Sequence, residues 1–211
     1  MKIVMSNCMR VFLTYCLAVL AFFANADELP QYCSQDCVVA YGEILGESIS
    51  GVKAFSNCNN ACVNPTPYFI GDTFTGIKWQ CVEYARRWLL VNKSVVYGDV
   101  DVAADIWGLD YVVSPDKKIQ SPFISILNGN QDHGLMRGDL LIYSRAFYGT
   151  GHVAVVLKID EQKQRVHLGE QNFDNGRWEQ EYARDIPYIK RGDEVWVLDP
   201  YLIGWKRVVN D

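Results

Sequence analysis

Histidine is scarce in this sequence, no apolar run is long enough to cross a bilayer, and acidic residues outnumber basic ones. Each shortage excludes something. With three histidines in 211 residues, a site that needs an imidazole has few residues to choose from. The longest apolar run, Val11–Phe23, covers 13 residues, well short of the roughly 20 that span a membrane. Lys2 and Arg10 precede or open it, and Ala24-Asn25-Ala26 follows, the pattern of a secretory leader with a small-x-small cleavage site. The mature protein would begin near Asp27, be exported to the periplasm or secreted, and have no stable membrane insertion. The formal net charge is −5, and losing the two leader cations takes it to −7. That balance gives no electrostatic case for nucleic acid or an anionic membrane and accommodates a cationic or neutral substrate more easily. Internal repeats and low-complexity stretches are lacking too. The expected organisation is a signal peptide at 1–26, a polar lead-in at 27–39 and one domain at 40–211.

Cysteine is not lacking. Of seven, Cys8 and Cys16 belong to the leader and five remain. Four form two C-x-x-x-C pairs, Cys33/Cys37 and Cys58/Cys62, and in an oxidising compartment these make two disulfides. Three connectivities exist. If each pair sits on a helical turn its members are poorly aimed at each other, so bridges between the pairs are expected. A four-cysteine zinc site is the alternative, though zinc motifs more often have two intervening residues. Cys81 is left over. An odd cysteine in an exported chain points to a reactive thiol or an intermolecular partner.

Patterning places that thiol. Apolar residues at Val82, Ala85 and Leu89, with Trp88 on an adjoining stripe, predict a helix over 81–92, and "DVAADIW" (101–107) reads as a second, short helix. Residues 56–68 are loop-like, with asparagines and two prolines. Beyond, the runs at 138–144, 152–159, 165–173 and 194–205 are β-branched and aromatic between turn residues. Helices followed by a strand meander make an α+β fold.

A cysteine in the first turn of a helix has its thiolate stabilised by the helix N-terminus, and the same amides can hold an oxyanion. Such a nucleophile needs a base. The polar stretch 160–165 predicts a hairpin centred near 162, which sets His152 opposite Asn172 and diagonal to Glu170 on one sheet face. His167 falls on the other face, and His133 lies in a Gly- and Asn-rich loop. His152 is therefore the expected base.

The residues now carry a resemblance. "KWQCVEYARRWL", "GDLLIY", "TGHVAVV" and "GEQNF", in that order, resemble the CHAP family of cysteine, histidine-dependent amidohydrolases and peptidases. The likeness is nearest to its glutathionylspermidine amidase members, and "YGEILGESISGVKAFSN" (41–57) and "LIGW" (202–205) extend it. It implies a papain-like fold of N-terminal helices packed on an antiparallel sheet. It also implies Cys81 as nucleophile, His152 as base and Glu170 as orienting acid, and an amide-hydrolysing chemistry that needs no metal or organic cofactor. Asn172 matches a polar site residue and Gln80 a second oxyanion donor beside the Cys81 N–H. Arg86 matches a motif arginine, either a substrate contact or a structural ion pair. The implied substrate is peptide-like: a polyamine conjugate, or peptidoglycan in a cell-wall hydrolase. A non-catalytic peptide-binding module and a thiol–disulfide exchange protein are the alternatives. Trp79 and Trp88 are expected in the core, Glu83 solvated or ion-paired, and Asp139 in turn hydrogen bonds at a strand entrance.

Overall fold

The computed structural model describes residues 29–209; the segment read as a leader lies outside them. Among the described residues there is one α-helix, α1 (Cys81–Lys93). Two antiparallel hairpins precede it, β1 (Ile44–Glu47) with β2 (Lys53–Phe55) and β3 (Pro67–Ile70) with β4 (Thr73–Ile77). After it come β5 (Val96–Tyr97), a 3-10 helix at Ala103–Gly108, β6 (Tyr111–Val113), β7 (Gln120–Leu127) and β8 (Leu140–Tyr143). The chain continues through β9 (Val153–Asp160), β10 (Arg165–Gly169), β11 (Arg184–Arg191), β12 (Glu194–Val197) and β13 (Leu202–Val208). The expected antiparallel sheet is present, but the expected N-terminal helices are not. Strands occupy that region, and the 101–107 segment forms a 3-10 helix. Short strands such as Lys53–Phe55 carry too few residues for alternation to register, which is why they escaped the pattern.

Strands β5 to β13 form one nine-stranded antiparallel sheet in the order β12-β11-β10-β9-β8-β13-β7-β6-β5. Its central strands are buried on both faces. In β8, Leu140 and Ile142 join the core beneath α1, while Leu141 and Tyr143 join a second core. In β9, Val153, Val155 and Leu157 face the first and Ala154 and Val156 the second. That double burial makes these strands read as nearly continuous apolar runs. The second core is enclosed because the sheet curls on itself. The Gly129 N–H, just past β7, donates to the Val195 carbonyl of edge strand β12 at 2.8 Å. Asn128 brackets Val197 with two further hydrogen bonds, at 2.8 and 2.9 Å. Those contacts occupy the free edge of β12 that an open sheet would leave unpaired.

Helix α1 packs Tyr84, Ala85, Trp88 and Leu89 into the first core. It buries charge as well. Glu83 pairs with Arg87 one turn on, at 2.7 Å, and also accepts from Thr75 and Gln171, so its desolvation is offset by a full set of donors. Asp139 takes the Met136 N–H at 2.7 Å at the start of β8 and pairs with Arg207. Trp79 stacks on Phe55 with ring centroids 4.2 Å apart, and Trp88 is buried.

The lead-in is stapled to the 56–62 loop by Cys33–Cys62 and Cys37–Cys58, bridges between the two pairs as expected; the zinc alternative is thereby set aside. Asn59 reinforces the staple by donating to the carbonyls of Tyr32 and Gln35, each at 2.9 Å. The Cys81 thiol is free. The two disulfides fit an oxidising compartment, and no helix among the described residues is long and apolar enough to cross a membrane.

Two outcomes follow from these constraints. Without reductant, alkylation should leave Cys33, Cys37, Cys58 and Cys62 unlabelled, and reduction should lower the melting temperature. Closing loops of 29 and 21 residues contributes about 3 kcal/mol each in the chain-entropy account, less than the sum because the loops are nested. At Gly151 (φ +72°) a Cβ would collide with the Tyr143 carbonyl and Ala104. Gly151→Ala should therefore destabilise the fold by about 1 kcal/mol or more, measured by denaturant unfolding.

Candidate active site

The start of α1 and the start of β9 meet at one end of the molecule, and the segment leaving β10 passes beside them. Gln80 is extended (ψ 157°) and Cys81 opens the helix, so the Cys81 N–H has no intrahelical acceptor. The Cys81 thiol lies within hydrogen-bonding reach of the His152 ring and of the backbone N–H groups of Val82 and Val153. His152 Nε2 is 2.8 Å from Glu170 Oε2, which leaves Nδ1 as the nitrogen for the thiol. Cys81 is 8% exposed, and His152 and Glu170 are 2% exposed each.

Charge settles in this buried trio in a definite way. Burial alone would push the Cys81 thiol up, but the charge and hydrogen bond of His152 and the two backbone N–H groups outweigh it and bring the thiol below its ordinary value. Burial would likewise depress His152, yet the Cys81 and Glu170 partners raise it to about 9. Burial acts upward on Glu170, and the Arg184 guanidinium together with the His152 hydrogen bond pulls it below the usual carboxylate range. All three shifts favour the charged forms: the thiol gives up its proton more readily, the imidazole keeps its own and the carboxyl stays ionised to lower pH.

The hairpin that brings His152 to Glu170 is less regular than side-chain alternation implies. Near the turn Arg165 faces Asp160; beyond a bulge at Leu157 the pairing moves by one residue, so that Leu168 faces Val156 and Gly169 faces Val155. Only the second register continues to 152 opposite 172, and β10 ends before reaching it. Glu170 meets His152, but Asn172 does not. It sits in the left-handed region (φ 54°) and donates to Gln80 Oε1 at 2.8 Å. The intervening Gln171 turns toward α1 and donates to Glu83 at 2.9 Å.

Gln80 and Asn172 both line a cleft of about 680 Å³ that contains Cys81 and His152. The Gln80 carboxamide is held behind, donating to Asn57 Oδ1 at 3.3 Å and to the Cys62 carbonyl at 3.2 Å. Arg86 is absent from the cleft wall. Its guanidinium is buried, donates to the Gly98 carbonyl at 2.6 Å and to Asp99 at 3.2 Å, and lies over the Tyr97 ring. Arg86 thus reaches the cleft only through Asp99, the ion-pair alternative of the two read from sequence. His167 stacks on Tyr182 and His133 is exposed in its loop.

Several residues at the site went unread. Among the described residues, Asp99 and Asp101 are the only acidic ones on the cleft lining, and no lysine or arginine lines it with them; "YGDVDVA" carries them openly, but nothing in the sequence ties that segment to the thiol. Phe147 and Phe173 stack in parallel at its rim, 5.8 Å apart. Arg184 binds Glu170 from β11 at 2.6 Å, and a strand with Pro187 at its middle shows no clean alternation to announce it.

Comparison with known proteins agrees with this arrangement. Residues 72–172 match the model of the CHAP domain, a span that takes in Gln80, Cys81, His152, Glu170 and Asn172. The chain is 29% identical over 176 residues to trypanothione synthetase of Crithidia fasciculata, covering 83% of this chain and 26% of that protein. It is also 29% identical over 194 residues to the bifunctional glutathionylspermidine synthetase/amidase of Escherichia coli (strain K12), covering 84% of this chain and 30% of the relative. The chain therefore spans less than a third of the length of these curated relatives. The segment from β4 to the residues leaving β10 is thus the part of this chain that is similar to the CHAP domain.

Proposed function

We propose that the protein is a thiol amidohydrolase in which Cys81 attacks, His152 moves the proton and Glu170 holds the imidazole. The observation that carries the reading is the buried His152 ring, bound to Glu170 through one nitrogen and left facing the Cys81 thiol with the other. The thiolate adds to an amide carbonyl. The oxyanion is met by the Cys81 N–H and by a second donor from the Gln80–Asn172 amide pair. His152 then protonates the leaving amine, which departs and leaves a thioester on Cys81. In the second half-reaction His152 takes a proton from water, the hydroxide adds to the thioester, and the acid leaves as the thiolate re-forms. Glu170 balances the imidazolium throughout. A non-catalytic peptide-binding module would have no use for a thiolate–imidazolium pair.

The substrate we assign is a peptide-like amide with a cationic amine portion, such as glutathionylspermidine. The relatives' names and the acidic lining of the cleft support it: Asp99 is paired with Arg86 from behind, and Asp101, with no lysine or arginine on the described lining, favours a positively charged group. Export, and with it action in the periplasm or outside the cell, is part of the same proposal and is supported by the leader pattern and the disulfides.

Product mass spectrometry tests the assignment, with the protein and its Cys81→Ala variant incubated separately with glutathionylspermidine and with peptidoglycan fragments. Spermidine release by the wild type alone is expected, and both Cys81→Ala and His152→Ala should lose at least about a thousandfold in kcat. Release of stem peptides instead would make the protein a cell-wall hydrolase. Near-wild-type turnover by Cys81→Ala would sink the thiol mechanism.

The pH dependence has a defined sign. Activity should rise as Cys81 loses its proton, at a pH below that of an ordinary thiol, because only the thiolate attacks. It should fall as pH passes about 9, where His152 loses the proton it must give to the leaving amine. A kcat/KM profile whose alkaline limb lies near an unperturbed histidine, about 6.5, would contradict the ion pair.

A further inference from the structure

Glu170 has two oxygens, and His152 uses only one. The other, Oε1, accepts from Arg184 Nε at 2.6 Å. The guanidinium is held on its remaining sides: Nη2 donates to the Tyr143 hydroxyl at 2.8 Å, Nη1 to Asp199 Oδ2 at 3.3 Å, and the Tyr143 hydroxyl donates to the same Asp199 oxygen at 3.1 Å. Its flat face lies 4.1 Å from the centre of the Phe173 ring. Phe173 itself stacks on the His152 side of the cleft, 5.2 Å from that imidazole. Strands β8 and β11, the turn that carries Asp199 and the segment after β10 thus converge on one cation that touches neither the thiol nor the cleft volume.

We infer that Arg184 is a positioning residue for the candidate site: clamped by Asp199 and Tyr143, its guanidinium fixes the Glu170 carboxylate in the orientation that grips His152. The role rests on the Cys81–His152–Glu170 reading given above. The need for it is physical. Glu170 leaves the ladder at the end of β10 and has no strand pairing to orient it, and a buried carboxylate with a single partner is expensive to keep charged. The planar fork of an arginine supplies both the charge and a fixed direction, which a lysine does not. The groups that face Glu170 are His152 ahead of β9, Arg184 of β11, and the phenols of Tyr143 of β8 and Tyr84 of α1, whose protons burial retains. Arg184 is the only permanent cation among them. Without it, burial would drive Glu170 to take up a proton. A neutral Glu170 no longer balances the imidazolium, so His152 would hold its proton less tightly and Cys81 would keep its own to higher pH.

The test needs no substrate. Iodoacetamide alkylation is followed against pH on the oxidised full-length protein, read by mass spectrometry on the peptide that carries Cys81. In the wild type the rate should rise with an inflection below the ordinary thiol range. In Arg184→Gln that inflection should move up by about one pH unit, a roughly tenfold loss of rate on the acid limb, and Arg184→Lys should restore it in part. A purely structural arginine would lower the melting temperature and leave the inflection where it was, which would overturn the proposal. Should Arg184→Gln not fold, Arg184→Lys decides: an inflection equal to that of the wild type overturns the claim that the fork sets the geometry. A wild type with no inflection below the ordinary thiol range would overturn the catalytic reading itself, and the positioning role with it. A shift confined to the Arg184 variants upholds both.

Discussion

The buried contact between His152 and Glu170 is the constraint on which the rest of the site depends. Placing an imidazolium and a carboxylate in an apolar interior is unfavourable unless each charge finds its complement. Here the complements run in sequence: the Cys81 thiol, the His152 imidazole, the Glu170 carboxylate, the Arg184 guanidinium and the Asp199 carboxylate. The three buried members, Cys81, His152 and Glu170, depend on their neighbours to stay charged, so the helix, the start of β9, the segment after β10 and strand β11 must come together at the same time. The curled sheet does this by bringing β8 to β11 side by side, with Tyr143 and the end of β10 flanking the ion pairs.

A second set of constraints holds the other wall of the cleft. The disulfide-stapled loop presents the Cys62 carbonyl to two carboxamides at once, Asn57 at 2.7 Å and Gln80 at 3.2 Å. Asn175 takes the Asn57 N–H at 3.0 Å and donates to Asn60 at 3.1 Å. Short, uncharged donors and acceptors are suited to this wall, because they satisfy one another without adding charge beside the Cys81 thiol. The lead-in residues 31–37 thereby influence the position of Gln80, although they stand far from it in sequence.

The relatives place these features in a wider frame. This chain corresponds to a minor part of each curated protein it resembles, and its match to the CHAP domain spans residues 72–172. The aromatic-rimmed cleft with Asp99 and Asp101 on its lining gives the proposed amidase a reason to select a cationic amine, since a negative lining favours a positive partner over an anionic one.

Much of this was legible without coordinates. The helix at Cys81 announced itself by apolar spacing. The central strands did so as β-branched runs, and the odd cysteine by simple subtraction from two pairs. Those signals are local, and local patterns survive in one dimension. His152 and Glu170 were also found together, although the true hairpin reaches that register only through the bulge at Leu157. The N-terminal strands, the role of β11 and the closure of the sheet at Gly129 and Val195 were not legible. The N-terminal strands are too short for alternation to register, a strand such as 184–191 gains its identity from the neighbours it pairs with, and the closure joins residues far apart in sequence. The sequence by itself determined which residue types were available, a lone thiol, three imidazoles and four pairable cysteines, and where the helix would begin. Only the tertiary structure decided that Arg184 would stand behind Glu170, that Asn172 would turn to Gln80 and that Arg86 would be buried behind Asp99. The strength and direction of a charge interaction depend on distance and burial, and neither exists until the chain has folded.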